Sequence, residues 1–253
     1  MIAPHAFVYV RSEDQSAVGR AVLQVNSNRH QRFFYRSLIL TSPARGWVAL
    51  VLGSSGTSDH LLLRNLSGLL NTLAFELQLG AMNFAYRLHR QGRTVSAFES
   101  NLLFYVNNCL QMIRSPRDFD LLDLAEPIDR FVLERLQKLQ HPGLATGAVL
   151  EIPDRLQDYY AGDAAQLRPV LRGDADEAYV ASLLAPGFNP EVAFERLAAL
   201  LDLPYLPSDC VTVPVDDREA RQVTGYAITK PATWRDALPP GWRRMPAQLP
   251  GIL

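Results

Sequence analysis

Two neighbouring stretches of strict alternation limit most strongly what this chain can fold into. In "AFELQL" (residues 74–79), Phe75, Leu77 and Leu79 fall on one side, Glu76 and Gln78 on the other. In "NFAYRLH", Phe84, Tyr86 and Leu88 repeat the pattern. A period of two is the signature of a half-buried strand, because successive side chains point to opposite faces. "RQGR" supplies a turn with Gly92 and "TVSAFE" follows, so the three segments predict an antiparallel meander.

The residues before it fill out the sheet. "AFVYV" (residues 6–10) reads as a short strand, and "RFFYRSLIL" and "WVALVL" as two more, joined by a turn containing Pro43 and Gly46 and paired as a hairpin. Between the first two, Val18, Val22 and Val25 share one helix face, although valines also suit a strand. Leu62, Leu66, Leu69 and Leu73 recur with helical spacing, with Ser58 or Asp59 as N-cap and an end near Asn71. The predicted order over residues 1–101 is β-α-β-β-α-β-β-β. Its first six elements follow the ferredoxin-like β-α-β-β-α-β order, and a further hairpin extends it.

The remainder reads as mainly helical. "LLFYVNNCLQMI" (residues 102–113) is apolar and ambiguous. Pro127 suits a first helical turn, Ile128, Phe131, Val132, Leu136 and Leu139 form a stripe, and Pro142-Gly143 ends the run. Shorter helices are expected at 163–171, 175–185 and 190–202, and "CVTVPV" as a late strand. From residue 230 there are five prolines in 24 residues, with Trp234 and Trp242, which rules out long helices and central strands. The expected class is therefore α+β: an antiparallel or mixed sheet with helices on one face, followed by a helical C-terminal half. Residues 1–113 form the sheet region, 114–229 a helical region packed on it and 230–253 a Pro/Trp-rich tail, in one continuous globular unit.

Composition excludes more than it indicates. The net charge of −1 gives no argument for nucleic-acid binding. Residues 1–110 carry ten Arg against five acids, whereas 111–253 carry 15 Lys/Arg against 21 Asp/Glu. That asymmetry suits two lobes, or a self-complementary contact between copies. Cys109 and Cys210 are the only cysteines, too few for a disulfide framework or a zinc knuckle. Neither a signal peptide nor an 18-residue apolar run is visible, so a cytoplasmic protein without membrane contact is expected.

Catalytic templates fail one by one. "GSSGTS" (residues 53–58) lacks the lysine of a phosphate-binding loop, and Gly53 and Gly56 stand one residue too close for a nucleophile elbow. It is expected to be architectural, a reversal followed by a cap. The five histidines, His5, His30, His60, His89 and His141, form no zinc pair. "DFDLLD" lacks the glycine and terminal Glu of a calcium loop, and the thiol of Cys109 reads as a small buried hydrophobe. No catalytic residue, metal or cofactor is assigned. The polar cluster worth following is "FESN", where Glu99, Ser100 and Asn101 end a strand and Asn83 begins the neighbouring one. These four are the candidate ligand-binding residues, with Ser54, Ser55 and His60 beside them in the small-molecule or enzyme alternative. Glu99 would be the general base, and would need burial to raise its pKa. Polar caps of a strand-end turn explain the same residues structurally.

"GWVALVL", "LGAMNFAYRLHRQGRTVSAFESN" and "FERLAALLDLP" together resemble a loose set of uncharacterised bacterial α+β proteins, over residues 46–101 and 190–206. The resemblance implies the fold and no activity. Acidic residues often precede the hairpin in that set, whereas "LQLGAMN" has none. The leading functional expectation is a non-enzymatic protein-interaction or regulatory module of a bacterial cell. Its partner is another protein or a second copy, a homodimer, with Trp234 and Trp242 as candidate partner-binding residues.

Overall fold

Phe75, Leu77, Tyr86 and Leu88 fix the plane of the sheet, since all four are buried on one face of two adjacent strands. The computed structural model describes residues 5–27, 37–41, 43–53, 59–80, 82–112, 126–138, 151–204 and 242–244. In chain order these give β1 (His5–Arg11), α1 (Gln15–Ser27), β2 (Ser37–Thr41), β3 (Trp47–Gly53), α2 (Asp59–Leu69) and β4 (Leu73–Leu79). Then come β5 (Phe84–Arg90), β6 (Arg93–Glu99), α3 (Leu102–Met112), α4 (Pro127–Lys138) and α5 (Asp154–Tyr159). α6 (Ala164–Leu167) runs into a 3-10 turn, and α7 (Glu177–Leu183), α8 (Pro190–Leu200) and β7 (Trp242–Arg244) complete the set.

The seven strands lie in the order β6-β5-β4-β1-β3-β2-β7, every neighbour antiparallel. Local chemistry sets the joints. Asp14 accepts from the N–H groups of Ser16 and Ala17, capping α1 and resolving the valine ambiguity in favour of a helix. Asn71, at φ 50°, ends α2 in the left-handed conformation that asparagine tolerates. Gln91 and Gly92 both have positive φ, the backbone of a two-residue hairpin turn. Gly92 also lies against Gly68, where a Cβ on Gly68 would meet the Gly92 Cα at 3.2 Å, so the β5–β6 hairpin packs backbone to backbone on α2.

Helices cover both faces of the sheet, which corrects the expectation of one. On one face, Val18, Val22 and Val25 of α1 and Leu62, Leu63 and Leu66 of α2 pack on Val8, Val10, Val48, Leu50 and Ala74. Beside them, Val106 of α3, Ile128, Phe131 and Val132 of α4 and Leu156 of α5 gather around Ala97. The opposite face carries Phe75, Leu77, Tyr86 and Phe98 against Leu167, Val180, Leu183, Ala193 and Leu197 of α6–α8. Tyr9 Oη donates to the Pro204 carbonyl at 3.1 Å, tying β1 to the segment after α8. The sequence implied that Glu76 faces water, and the structure corrects this too: it is 1 % exposed, because the helices on its own face close over it.

The loop at 54–58, "CVTVPV" and most of the tail lie outside the described residues, Trp234 among them. No helix among the described residues is long and apolar enough to cross a membrane.

Candidate functional site

The end of β6 brings the four candidate polar residues together. Asn83 Nδ2 donates to Glu99 Oε1 at 2.7 Å, and the Asn101 backbone N–H reaches the same oxygen at 3.3 Å. Ser100 Oγ accepts from the Phe84 N–H at 2.8 Å, and its own N–H donates to the Phe84 carbonyl. Asn101 Oδ1 accepts from the Phe104 N–H, which makes it the N-cap of α3. Ser100 and Asn101 thus fasten the strand-to-helix turn, while Glu99 points into the interior.

What Glu99 enters is a buried charged cluster that sequence reasoning missed. On the same sheet face, Glu76 of β4 stands directly opposite Arg87 of β5. Arg87 is 4 % exposed, and its Nη1 donates to the carbonyls of Tyr86 and Phe98, both at 2.9 Å. Its guanidinium lies 4.8 Å from the Tyr160 ring centre and 5.8 Å from that of Tyr105, within cation–π range. Glu126, the residue before α4, accepts from Thr94 Oγ1 at 2.9 Å and from the Tyr160 hydroxyl at 3.0 Å. Gln78 Nε2 donates to Glu76 Oε1. Within this cluster, Nε of Arg87 and Oε2 of Glu99 have no hydrogen-bond partner among the described residues.

The electrostatics follow from one cation among three carboxyls. Burial pushes Glu99 up to about 7, against the opposing pull of Arg87 and the Asn83 and Asn101 bonds. Glu76 is pushed up to about 7 by the same cause, with Arg87 and Gln78 opposing and Glu126 adding repulsion. Burial alone would disfavour the Arg87 charge, but Tyr160, Tyr105, Glu126 and Glu99 more than restore it. Glu99 therefore has the raised pKa that a general base would require, on a side chain only 6 % exposed.

Other candidates resolve differently. Burial, with Asp129 and Glu99 nearby, pushes the Cys109 thiol up to about 12, the opposite of an activated nucleophile. His89 is buried in β5, its Nδ1 3.2 Å from Thr94 Oγ1. His60 belongs to the first turn of α2, and Trp242 stands opposite Thr41 in the β2–β7 pairing. Ser54 and Ser55 lie outside the described residues. Among the described residues, no group of three His, Cys, Asp or Glu side chains could hold a metal ion.

The surface shows a second pattern. Residues 151–203 carry ten exposed acids and four exposed arginines, so this layer is acidic. Two of those arginines are engaged locally: Arg168 donates to the Ala175 and Gly173 carbonyls, and Arg172 stands 3.5 Å from Asp174. Asp158, Asp163 and Glu177, with Gly162, Ala164, Ala165, Ala178 and Ala181, line a shallow depression of about 640 Å³. By contrast, Arg11, Arg45, Arg90 and Arg93 all emerge at one end of the sheet, where β1, β5 and two turns meet. Of these, Arg45 Nη1 is bonded to Asp202 at 3.1 Å.

No family model, curated protein or solved structure matches the chain.

Proposed function

We propose that this chain is a non-enzymatic interaction module that associates with a second copy of itself. The acidic α5–α8 layer of one copy would meet the arginine-bearing sheet end of the other. The observation that carries this reading is the sorting of exposed charge: ten acids against four arginines in one layer, and Arg11, Arg90 and Arg93 together at the sheet end. Complementary patches steer association and fix orientation. A depression lined by three acids and small residues leaves room for a guanidinium. A bacterial, cytoplasmic setting with reduced thiols belongs to the same proposal. So does a ferredoxin-like reading of the first six elements, supported by the adjacency β4-β1-β3-β2.

Sedimentation velocity at low and high salt tests the assembly. A dimer at low ionic strength that dissociates as salt rises is expected, because exposed charges are screened within about 8–10 Å at physiological salt. Replacing Asp158, Asp163 and Glu177 by their amides should abolish it. A chain that stays monomeric at every salt and protein concentration overturns the reading.

One observation favours a second reading, a small-molecule site at Asn83, Glu99, Ser100 and Asn101: the unpartnered, buried Oε2 of Glu99. A thermal-shift screen with nucleotides, sugars and amino acids separates the two. A compound that stabilises the wild type but not Glu99→Gln would favour this site.

A further inference from the structure

We propose that the Glu76–Arg87–Glu99 cluster is a proton-operated latch that sets how tightly α3 and α4 dock on β5 and β6. The cluster lies at the junction of every element that would have to move. Glu99 holds the first turn of α3 through the Asn101 N–H, and Asn101 in turn caps that helix. Glu126 fastens the start of α4 to Thr94 of β6 and to Tyr160 at the end of α5. Tyr105 of α3 and Tyr160 both lie over the Arg87 guanidinium. These contacts place the helical layer on a charged floor.

That floor holds one cation for three carboxyls. One guanidinium offsets one carboxylate. Each further ionisation adds negative charge without a counterion, in a place from which water is excluded. Glu99 feels this most directly, since its Oε2 has no donor to stabilise a negative charge. Glu76 has Glu126 as a close repulsive neighbour.

The facing groups come from every packed element. β5 contributes Arg87 and His89, α3 contributes Tyr105 and Cys109, and α4 with its preceding residue contributes Asp129 and Glu126. α5 and its end contribute Tyr159 and Tyr160, and Arg64 of α2 reaches Tyr159 electrostatically. Arg87 is the cation whose charge opposes the rise of both Glu76 and Glu99. Burial sets both carboxyls to titrate at about 7, so the latch works across neutral pH. Their folded pKa values lie above the ordinary carboxyl range. The linked stability is therefore complete in acid, below that range, and is lost as pH rises through about 7.

Amide hydrogen exchange on the full chain, corrected for intrinsic rates, tests the latch at about pH 5.5 and about pH 8.5. Protection of residues 102–112 and 127–138 should fall about tenfold or more at the higher pH, while α1 changes little. Glu99→Gln should remove most of that difference. If that variant does not fold, Glu76→Gln and carbon-13 titration of the wild-type glutamate carboxyls give the same decision. Equal protection at both pH values, an unchanged difference in the folded glutamine variants, or wild-type Glu76 and Glu99 titrating in the ordinary carboxyl range each overturn the proposal.

Discussion

Arg87→Met is the substitution that asks most of the buried cluster. Methionine keeps much of the side-chain volume and removes the charge, so the effect is electrostatic rather than a cavity. The carbonyls of Tyr86 and Phe98 lose donors at 2.9 Å, and bonds to a charged group are worth about 1.5–3 kcal/mol each. The ring of Tyr160, 4.8 Å from the guanidinium, loses a desolvated cation–π contact worth about 1–2 kcal/mol. Leaving buried carboxyls without the charge that offsets them costs about 3–5 kcal/mol, and that figure already includes much of the first two effects. We therefore expect a loss of about 4 kcal/mol in mildly alkaline solution, against a total stability of about 5–15 kcal/mol. The sign with pH follows from the carboxyls. Arg87 lowers the pKa values of both Glu76 and Glu99, so without it both rise further, and more stability is lost as pH climbs through neutrality. In acid both are neutral, and the loss should be smaller, because only the carbonyl bonds and the ring contact are then removed. Urea denaturation followed by circular dichroism at two pH values measures this directly. A loss under about 1 kcal/mol at both, or the same loss at both, would refute the electrostatic account of the cluster.

Three further outcomes are expected. Gly162 sits at φ 79°, and an added Cβ would lie 2.9 Å from Tyr86 Oη and 3.1 Å from Phe98 Cδ2. Gly162→Ala should thus cost about 2–3 kcal/mol by thermal melting, whereas Gly173→Ala, with nothing within 4 Å, stays within about 0.5 kcal/mol. Ser67 Oγ donates to the Arg64 carbonyl and accepts from the Gly92 N–H, so Ser67→Ala should lose about 1–3 kcal/mol and speed exchange of the Gly92 amide. Cys109, with its thiol pushed up to about 12, should resist a disulfide reagent in the folded chain and react once urea unfolds it.

Much of the sheet was legible because alternation and turn chemistry are local. The meander of residues 73–99 follows from Phe75, Leu77, Tyr86 and Leu88 alternating with polar neighbours, and from a Gln-Gly pair able to take positive φ. The turn at Arg45 and Gly46 follows the same rule before β3. What alternation could not tell was how many layers would cover the sheet. A polar face on a strand reads as solvent-facing, and α3 with α4 covers this one because their apolar stripes, Val106, Ile128, Phe131 and Val132, need a floor. Such pairing between distant segments leaves no local trace. The short helix α5 was likewise missed, since Asp154–Tyr159 has one buried residue, Leu156, and no period to read.

The candidate site was half legible for the same reason. Asn83, Glu99, Ser100 and Asn101 could be gathered from a strand-end pattern, and two of the four, Ser100 and Asn101, hold the turn together, while Asn83 binds Glu99. Arg87 was passed over, although the alternation that places Phe84, Tyr86 and Leu88 on one face assigns Arg87 to the other. The hairpin register then sets it opposite Glu76. Opposite charges at facing positions are ordinary on a solvated sheet, where they contribute about 0.2–1 kcal/mol. Burial changes their meaning. Under a helical layer the same pair needs Tyr86 O, Phe98 O, Tyr105 and Tyr160 to hold it, and Arg87 Nε still has no partner. A domain that only needed a stable core would be served as well by apolar residues at positions 76, 87 and 99. The charges at these positions are therefore better explained by what they allow, a cluster whose protonation changes near neutral pH, than by what they add to stability.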